Sequence, residues 1–266
     1  MLMRDFDQEA LRERYNPDGS ALRRNQLELL ELLDEVARIC KEHNIQWWLS
    51  SGTLLGAARH EGFIPWDDDI DIVMLRKDFK RFDRLMRKAE LKDFVYHSMT
   101  TDIDYVYLFS KFRRRRGQFI DIFAIERTSY FAARASSIIY NNLQHLTSYI
   151  RWAWLRRPLI LLVNLLCLGI IIPILRLVGL INPRGEYHYV LGSGWGRHRF
   201  FSRYTFPLGR AKFEGKEYPA PKDTDAYLRT VYGDWRKLPT DEQIRDAIHC
   251  PQYIEEIYSK KNPNEE

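Results

Sequence analysis

The residues of this chain best suited to chemistry are a dense group of carboxylates. Asp67, Asp68, Asp69 and Asp71 lead directly into the apolar run 70–74. Like charges beside hydrophobic side chains repel one another and lose solvation, and such an arrangement usually needs a compensating cation. Oxygen-only ligands suit Mg²⁺, with Mn²⁺ as a substitute. We interpret the cluster as a divalent-metal site for phosphoryl chemistry, the alternative being a solvated acidic loop.

Alternation along a strand assigns different roles to these acids. The apolar neighbours predict a strand that runs from Asp67 through Met74. Successive side chains of a strand point to opposite faces, so Asp69 and Asp71 can converge on one cation, with Asp67 as a third ligand on their face. Asp68 points the other way and is predicted to be a surface residue or a supporting one.

A small-residue turn precedes the acids by about fifteen positions. It consists of Ser51, Gly52 and Thr53, between a predicted strand over 45–49 and a helix-like segment over 54–59. Glycine lets the backbone approach a phosphate closely, and the N–H groups and dipole of a helix start attract anions. The pattern predicts an anion pocket, although an ordinary tight turn has the same sequence.

A further carboxylate, Asp121, lies inside a second apolar strand predicted over 118–125. A lone aspartate there is costly to bury. It is either ion-paired or capping, or it is a third carboxylate of the metal site that assists an attacking hydroxyl. A preceding strand is predicted over 104–111, joined to it by a basic hairpin, 111–117, that either contacts an anionic acceptor or is a solvated turn.

Helical periodicity supplies the elements that must support these residues. Amphipathic helices are predicted over 21–43, with Ser20 as N-cap, and over 77–89. The inward stripe of the first is Leu27, Leu30, Leu33, Val36 and Ile39, widened by Leu29, Leu32 and Ala37. Further predictions are a lead-in over 1–20, helix over 130–157, loop over 182–207, a β-hairpin over 211–221, a helix over 223–230 and a frayed tail after Asn262.

Composition restricts the class of protein. The 266 residues are 45% hydrophobic and 29% charged, which indicates a globular chain. A net charge of +5 favours phosphate-bearing substrates or an anionic membrane surface. Nucleic acid is not expected as a partner, because the sequence carries none of its usual binding motifs. Three dispersed cysteines and an N-terminus without an apolar segment predict a cytoplasmic protein with no signal peptide.

The most apolar stretch, 159–175, is flanked by Arg156, Arg157 and Arg176. At ~1.5 Å per residue it would extend about 25 Å, short of the ~30 Å hydrocarbon core of a bilayer. It is therefore a transmembrane helix, a buried core helix or helical hairpin, or a segment that docks at the membrane surface. The flanking arginines favour docking, with the protein peripheral at the inner face of the membrane.

Two motifs in this chain resemble the LicD family, which includes the fukutin-related glycan phosphotransferases. They are GTLLGAAR over 52–59 and IPWDDDID over 64–71. The strand FIDIF over 119–123 resembles the third-carboxylate strand of the family, and residues 227–239 with His249 resemble its C-terminal signature. The cysteine-based zinc site of the animal members has no counterpart here.

The resemblance implies an α+β fold, a nucleotidyltransferase-like small mixed sheet flanked by helices, with a helical apolar insertion. We expect a catalytic core over 20–128, the insertion over 129–181 and a C-terminal part over 182–260 that completes the catalytic domain. It also implies transfer of phosphorylcholine, or a related phospho-alcohol group, from a CDP-activated donor such as CDP-choline to a hydroxyl of a cell-surface glycan, either free or lipid-linked. CMP would be released.

Carried onto this sequence, the resemblance makes Asp69 and Asp71 the metal ligands and Asp121 the third carboxylate and candidate base. The remaining candidates bind substrate: Ser51, Gly52 and Thr53 at the donor phosphate, and Arg59 and Lys111 to neutralise the diphosphate. Two other functions stay open, a nucleotidyltransferase that moves NMP to a protein, RNA or small molecule, and a catalytically inactive membrane-associated adaptor. The intact carboxylate set argues against the adaptor.

Overall fold

The computed structural model of the chain describes residues 7–115, 117–182 and 185–259. The predictions for the first six residues, for Arg116 in the basic turn, for 183–184 in the 182–207 loop and for the tail after Asn262 lie outside these described residues.

The described elements alternate between helices and short strands. The helices are α1 (Gln8–Tyr15), α2 (Ala21–Glu42), α3 (Ser51–His60), α4 (Arg76–Met86), α5 (Tyr130–Ser148), α6 (Ala153–Leu166), α7 (Ile172–Gly179), α8 (Ser202–Thr205), α9 (Thr224–Tyr232), α10 (Asp241–Ala247) and α11 (Pro251–Ser259). The strands are β1 (Trp47–Leu49), β2 (Ile70–Leu75), β3 (Phe94–His97), β4 (Ser110–Arg114), β5 (Phe119–Arg127), β6 (Glu186–Tyr189), β7 (Phe200–Phe201), β8 (Gly209–Phe213) and β9 (Lys216–Ala220). A π-helical turn, Cys167–Ile171, joins α6 to α7.

A mixed sheet organises the fold around β2 and β5. These two strands are parallel, and the strand order is β1-β2-β5-β4-β3, with β6 on the far half of β5 and β7 beside β6. The other pairings of this sheet are antiparallel. Because β2 and β5 are covered on both faces, they read as nearly continuous apolar runs. The predicted α+β fold, a mixed sheet flanked by helices, is confirmed.

Helix α2 packs on this sheet with most of the predicted stripe. Leu33, Val36 and Ile39 are buried as expected, whereas Leu27 is 45% exposed. Near the N-terminal end of the helix the buried face also includes the polar residues Asn25 and Gln26. Their amide groups bond to the acidic segment described below, which compensates the cost of burying them.

The prediction of a strand over 104–111 is wrong. Strand β4 begins at Ser110, so the basic residues from Lys111 to Arg114 lie in a strand and not in a hairpin turn. The aromatic residues before it form a loop, in which Phe109 stacks on Phe123 at 5.0 Å between ring centroids. Strands β6 and β7, within the predicted loop 182–207, and helices α1 and α11 are likewise additional elements.

The apolar segment forms a longer helix than predicted. It runs continuously over Ala153–Gly179 through the π-helical turn, and Pro173 is accommodated in the first turn of α7. By length and composition this helix could cross a membrane. A core helix would be mostly buried, whereas only 22% of the most apolar part of this helix is buried inside the protein. It is therefore not a core helix, and its outward face is apolar.

Candidate active site

The pairing of β2 with β5 brings two of the predicted acids together. Asp71 and Asp121 are direct neighbours across the parallel strands. The backbone of Asp71 is fixed from α3, because its N–H donates to Thr53 Oγ1 at 2.8 Å and its carbonyl accepts from Ser50 N at 3.2 Å. A strand register and a helix start thus place both carboxylates at one end of the sheet.

The start of α3 touches the same acids. Its N-cap residue, Ser50, makes no side-chain capping bond, and Ser51 has a left-handed φ of 47°. A Cβ atom at Gly52 would lie 2.7 Å from Asp67 Oδ2, so a larger residue would displace that carboxylate. The Ser51 side chain lies close enough to Asp71 to lower the pKa of that carboxyl group. Without a capping side chain, the first-turn N–H groups of the helix are suited to an anion.

The segment before β2 is a turn and not the strand that alternation predicts. Strand β2 begins at Ile70, and buried amides of α2 hold the preceding backbone. Asn25 Nδ2 donates to the carbonyl of Asp68 at 3.0 Å, and Gln26 Nε2 donates to the carbonyl of Asp67 at 2.9 Å. These two positioning residues were missed from sequence, since polar residues in an amphipathic helix are usually solvated.

A cleft of about 790 Å³ opens over the acids. One wall is the start of α3 with the acidic turn, and the other is the C-terminal segment from Tyr232 to His249. Its lining includes Ser51, Gly52, Arg59, Asp67, Asp69, Asp71, Tyr232, Asp234, Trp235, Lys237 and His249. The volume is in the range of small-molecule sites.

Asp121 is ion-paired at the edge of this group. Lys111 lies opposite it in the β4–β5 ladder, and Lys111 Nζ is 2.7 Å from Asp121 Oδ1. The ammonium group also lies 3.3 Å from the ring centroid of Phe119. Burial raises the pKa of Asp121 to about 6, against the opposing effect of Lys111. A carboxylate with such a pKa is suited to accept a proton near neutral pH.

Of the two roles predicted for Asp68, a surface residue or a supporting one, the structure excludes the first and is consistent with the second. Asp68 is only 7% exposed. Its Oδ1 accepts from His249 Nδ1 at 3.0 Å, and its Oδ2 accepts from the backbone N–H of Cys250 at 2.9 Å. It contacts the C-terminal wall of the cleft instead of water.

His249 is the functional candidate to which sequence reasoning gave no role. The bond to Asp68 raises the pKa of His249 to about 9, so the imidazole is a cation at neutral pH. Its Nδ1 is 3.7 Å from Asp69 Oδ2, and the ring lines the cleft. The sequence indicated His249 only as part of the C-terminal motif that resembles the LicD family. That motif does not indicate that Asp68 is its partner.

Two predicted substrate-binding residues are engaged within the protein. Thr53 is buried and its hydroxyl holds the backbone of Asp71, so its side chain positions a carboxylate. Arg59 is largely buried and donates to the carbonyls of Trp235 and Lys237, at 3.3 and 3.4 Å. Arg59 therefore ties α3 to the C-terminal wall while it lines the cleft. Burial lowers the pKa of Arg59 to about 10, which leaves it charged.

The chemistry of the acidic cluster fits a hard cation. Burial, followed by repulsion from neighbouring carboxylates, raises the pKa of both Asp67 and Asp71 well above the ordinary value. Burial also raises the pKa of Asp69. Within the described ranges, no three acidic, histidine or cysteine side chains form a ready-made metal-binding group. The donor set is nonetheless all oxygen, and a divalent ion would relieve the repulsion that raises these pKa values.

Comparison with known proteins agrees with the fold and the cleft. The sequence model of the family described as LicD/FKTN/FKRP, nucleotidyltransferase domain, matches residues 44–149. The chain is 27% identical to the lipopolysaccharide cholinephosphotransferase LicD of Haemophilus influenzae, over 89% of this chain and 97% of that protein. It is 40% identical to the human ribitol 5-phosphate transferase FKRP over 65 residues, which are 23% of this chain and 13% of that protein.

The part of the chain that carries strands β1 to β5 and the acids is thus similar in sequence to the nucleotidyltransferase domain of that family. The matched range 44–149 includes α3, the acidic turn, β2 and β5. Similarity to a LicD protein continues through most of the chain. The resemblance to the LicD family is thereby confirmed.

Proposed function

We propose that the protein is a LicD-type phosphotransferase. It transfers a phospho-alcohol group, phosphorylcholine or a relative such as a ribitol or glycerol phosphate, from a CDP-activated donor to a glycan hydroxyl and releases CMP. The observation that carries the proposal is the Asp71–Asp121 pair facing the uncapped start of α3. Similarity to a cholinephosphotransferase and to ribitol-phosphate transferases supports the class of group transferred.

The donor diphosphate binds at the start of α3. Backbone N–H groups at Ser51 and Gly52 attract phosphate oxygens. Asp69 and Asp71, with Asp67 on the same side, would hold a Mg²⁺ or Mn²⁺ ion, which would supply charge neutralisation and orientation to the phosphoryl group. His249, a cation fixed by Asp68, adds positive charge at the opposite wall.

Asp121 takes the proton of the acceptor. The glycan hydroxyl oxygen forms a bond to the phosphorus atom of the phospho-alcohol group as the bond from that phosphorus to the CMP oxygen breaks. The hydroxyl proton passes to Asp121, and CMP leaves as a phosphate monoester. Lys111 keeps Asp121 ionised before the transfer, because its ammonium lies 2.7 Å from the accepting carboxylate.

The test is turnover of CDP-choline with Mg²⁺ and a glycan acceptor, followed through CMP release. We expect Asp69→Asn or Asp71→Asn to abolish turnover while the protein stays folded, because the neutral amide removes repulsion but also removes the ionic ligand. Asp18→Asn is a matched control, since Asp18 lies 87% exposed on a turn outside the cleft. Wild-type activity in either cleft variant would overturn the assignment.

A nucleotidyltransferase reaction on the same core is the second candidate, because the matched family domain carries that description. The two reactions release different products. Incubation with ATP or CTP and a candidate acceptor would release pyrophosphate if NMP were transferred, whereas the proposed reaction releases CMP from CDP-choline without pyrophosphate. Pyrophosphate release together with inert CDP-choline would replace the proposal by this alternative.

A further inference from the structure

The long helix Ala153–Gly179 has its polarity reversed relative to a helix that faces water. Its polar residue Asn164 points inward, where its Oδ1 accepts from Tyr140 Oη at 3.0 Å and from Gln144 Nε2 at 2.8 Å. Apolar side chains point outward, with Leu165 69% and Leu177 68% exposed. Surface helices of soluble proteins place their apolar stripe on the core and their polar face in solvent.

The outward apolar face is long and carries no free charge. Across residues 158–181 the sequence has a single charged residue, Arg176, and it is bound to Glu126 at 2.8 Å. At ~1.5 Å per residue, a helix of this length extends about 40 Å. Contiguous exposed apolar surface of such extent marks an interaction site and not ordinary surface.

Ion pairs at both ends fix this helix along the catalytic domain. At its start, Arg156 and Arg157 bind Asp104 at 2.7 and 2.8 Å. At its end, Arg176 binds Glu126 on β5. Both ends of the α5–α7 insertion return to the adjacent antiparallel strands β5 and β6. A bilayer-spanning helix would leave one end on the far side, so this helix can enter a membrane only lengthwise.

The turn between α5 and α6 has the composition of a membrane interface. Tyr149, Trp152 and Trp154 are exposed there, with Trp154 at 74%, beside the exposed cations Arg151 and Arg157. Tyrosine and tryptophan favour the level of the lipid headgroups, where one side of the ring is apolar and the other wet. Arginine favours anionic headgroups. These features identify the occupant of the apolar face as an anionic bilayer.

We propose that the insertion Tyr130–Gly179 docks the protein in the plane of an anionic bilayer. The outward face of α6 and α7 lies among headgroups and upper acyl chains, and the aromatic turn lies at headgroup level. The segment from Asp104 to Lys111 connects this surface with Asp121, since Asp104 binds the insertion and Lys111 binds Asp121. A lipid-linked acceptor would therefore be presented beside the base, a consequence that rests on the proposed function, whereas the docking does not.

The experiment is co-sedimentation of the full chain with phosphatidylglycerol vesicles and with phosphatidylcholine vesicles, at low and high salt. We expect binding to the anionic vesicles that weakens with salt. Leu165→Asp should lower the partition coefficient by at least about tenfold, because it places a charge in the docked face. Leu27→Asp on α2 is the control, because it makes the same substitution at an exposed leucine outside the docked face. The partition coefficient of this variant should stay near that of the wild type.

Several outcomes would overturn the docking. One is failure of the wild-type chain to bind anionic vesicles at low salt, and another is an equal loss in the Leu27→Asp control. A third outcome is a wild-type protein that forms a dimer in solution and does not bind vesicles. If Leu165→Asp dissociates that dimer, the apolar face is a contact between two copies of the chain. Retention on vesicles after alkaline carbonate would indicate a spanning helix. None of these readouts uses CDP-choline, so they are independent of the proposed reaction.

Discussion

The Lys111–Asp121 pair decides the protonation state of the proposed base. Burial alone would push the pKa of Asp121 higher, and the ammonium of Lys111 opposes it. The aspartate must be ionised to accept a proton, so the pair sets the lowest pH at which the reaction runs. The role of Lys111 is thus one of holding the base ionised, in addition to any contact with the diphosphate.

We expect Lys111→Met to move the acidic limb of the kcat/KM profile to higher pH by roughly one unit or more, since loss of a close opposite charge raises a carboxyl pKa by about that amount. The measurement is kcat/KM for CDP-choline against pH. Arg113→Met is the control, because Arg113 lies on the same strand and bonds backbone carbonyls. An unchanged limb in the Lys111 variant would exclude Asp121 as the titrating base.

At the scale of single elements, the start of α3 is the most restrictive part of the site. Ser51 has a left-handed backbone, and Gly52 has no room for a side chain beside Asp67. Both features bring the first turn of the helix close to Asp67. The left-handed conformation of Ser51 is energetically unfavourable for a residue other than glycine, and it produces a helix terminus that faces the acids.

Gly52→Ala should lower kcat/KM by about 10- to 100-fold with little change in the unfolding temperature, because the new methyl group displaces the Asp67 carboxylate and not the backbone. Steady-state kinetics and thermal unfolding measure the two effects. Gly169→Ala is the matched control, since a Cβ there makes an ordinary contact of 3.7 Å with Leu165. A wild-type rate in the Gly52 variant would remove this turn from the donor site.

The elements that could be predicted from sequence are those with one clear periodicity. Helix α2, the β8–β9 hairpin and the β5 strand follow their apolar patterns. Strand β4 could not be predicted in this way. Its charged residues alternate with one buried aromatic residue, Phe112, and this pattern resembles a solvated turn. The roles of Asn25 and Asp68 depend on partners far along the chain, and local patterns do not contain that information.

At the scale of the whole molecule, a largely buried histidine joins helix α1 to the end of helix α3. His60, at the end of α3, accepts from Arg59 Nε at 3.0 Å, and its Nδ1–H donates to Gln8 of α1 at 2.5 Å. Burial, with a smaller effect from Arg59, lowers the pKa of His60 to about 3. The folded protein therefore requires neutral imidazole, whereas the unfolded chain protonates it near pH 6.5.

His60 should consequently make the fold sensitive to acid. Between pH 6.5 and 3 the unfolded state binds more protons, so the stability that neutral His60 permits is complete above pH 6.5 and is lost as pH falls. We expect His60→Gln to flatten the pH dependence of the free energy of unfolding by on the order of 3–5 kcal/mol over this range. Urea unfolding at several pH values measures it, with the exposed His43→Gln as control. An identical slope in wild type and His60→Gln would contradict the assignment.

The proposed in-plane docking of the helix Ala153–Gly179 would have a kinetic consequence. A catalyst held lengthwise at a surface would find a lipid-linked acceptor by lateral diffusion, while the nucleotide donor would arrive from bulk water. The two substrates then enter the rate law in different units, one as a surface density and the other as a concentration. Dilution of the acceptor with inert lipid should slow turnover at constant bulk acceptor, whereas addition of buffer volume should act mainly through the donor.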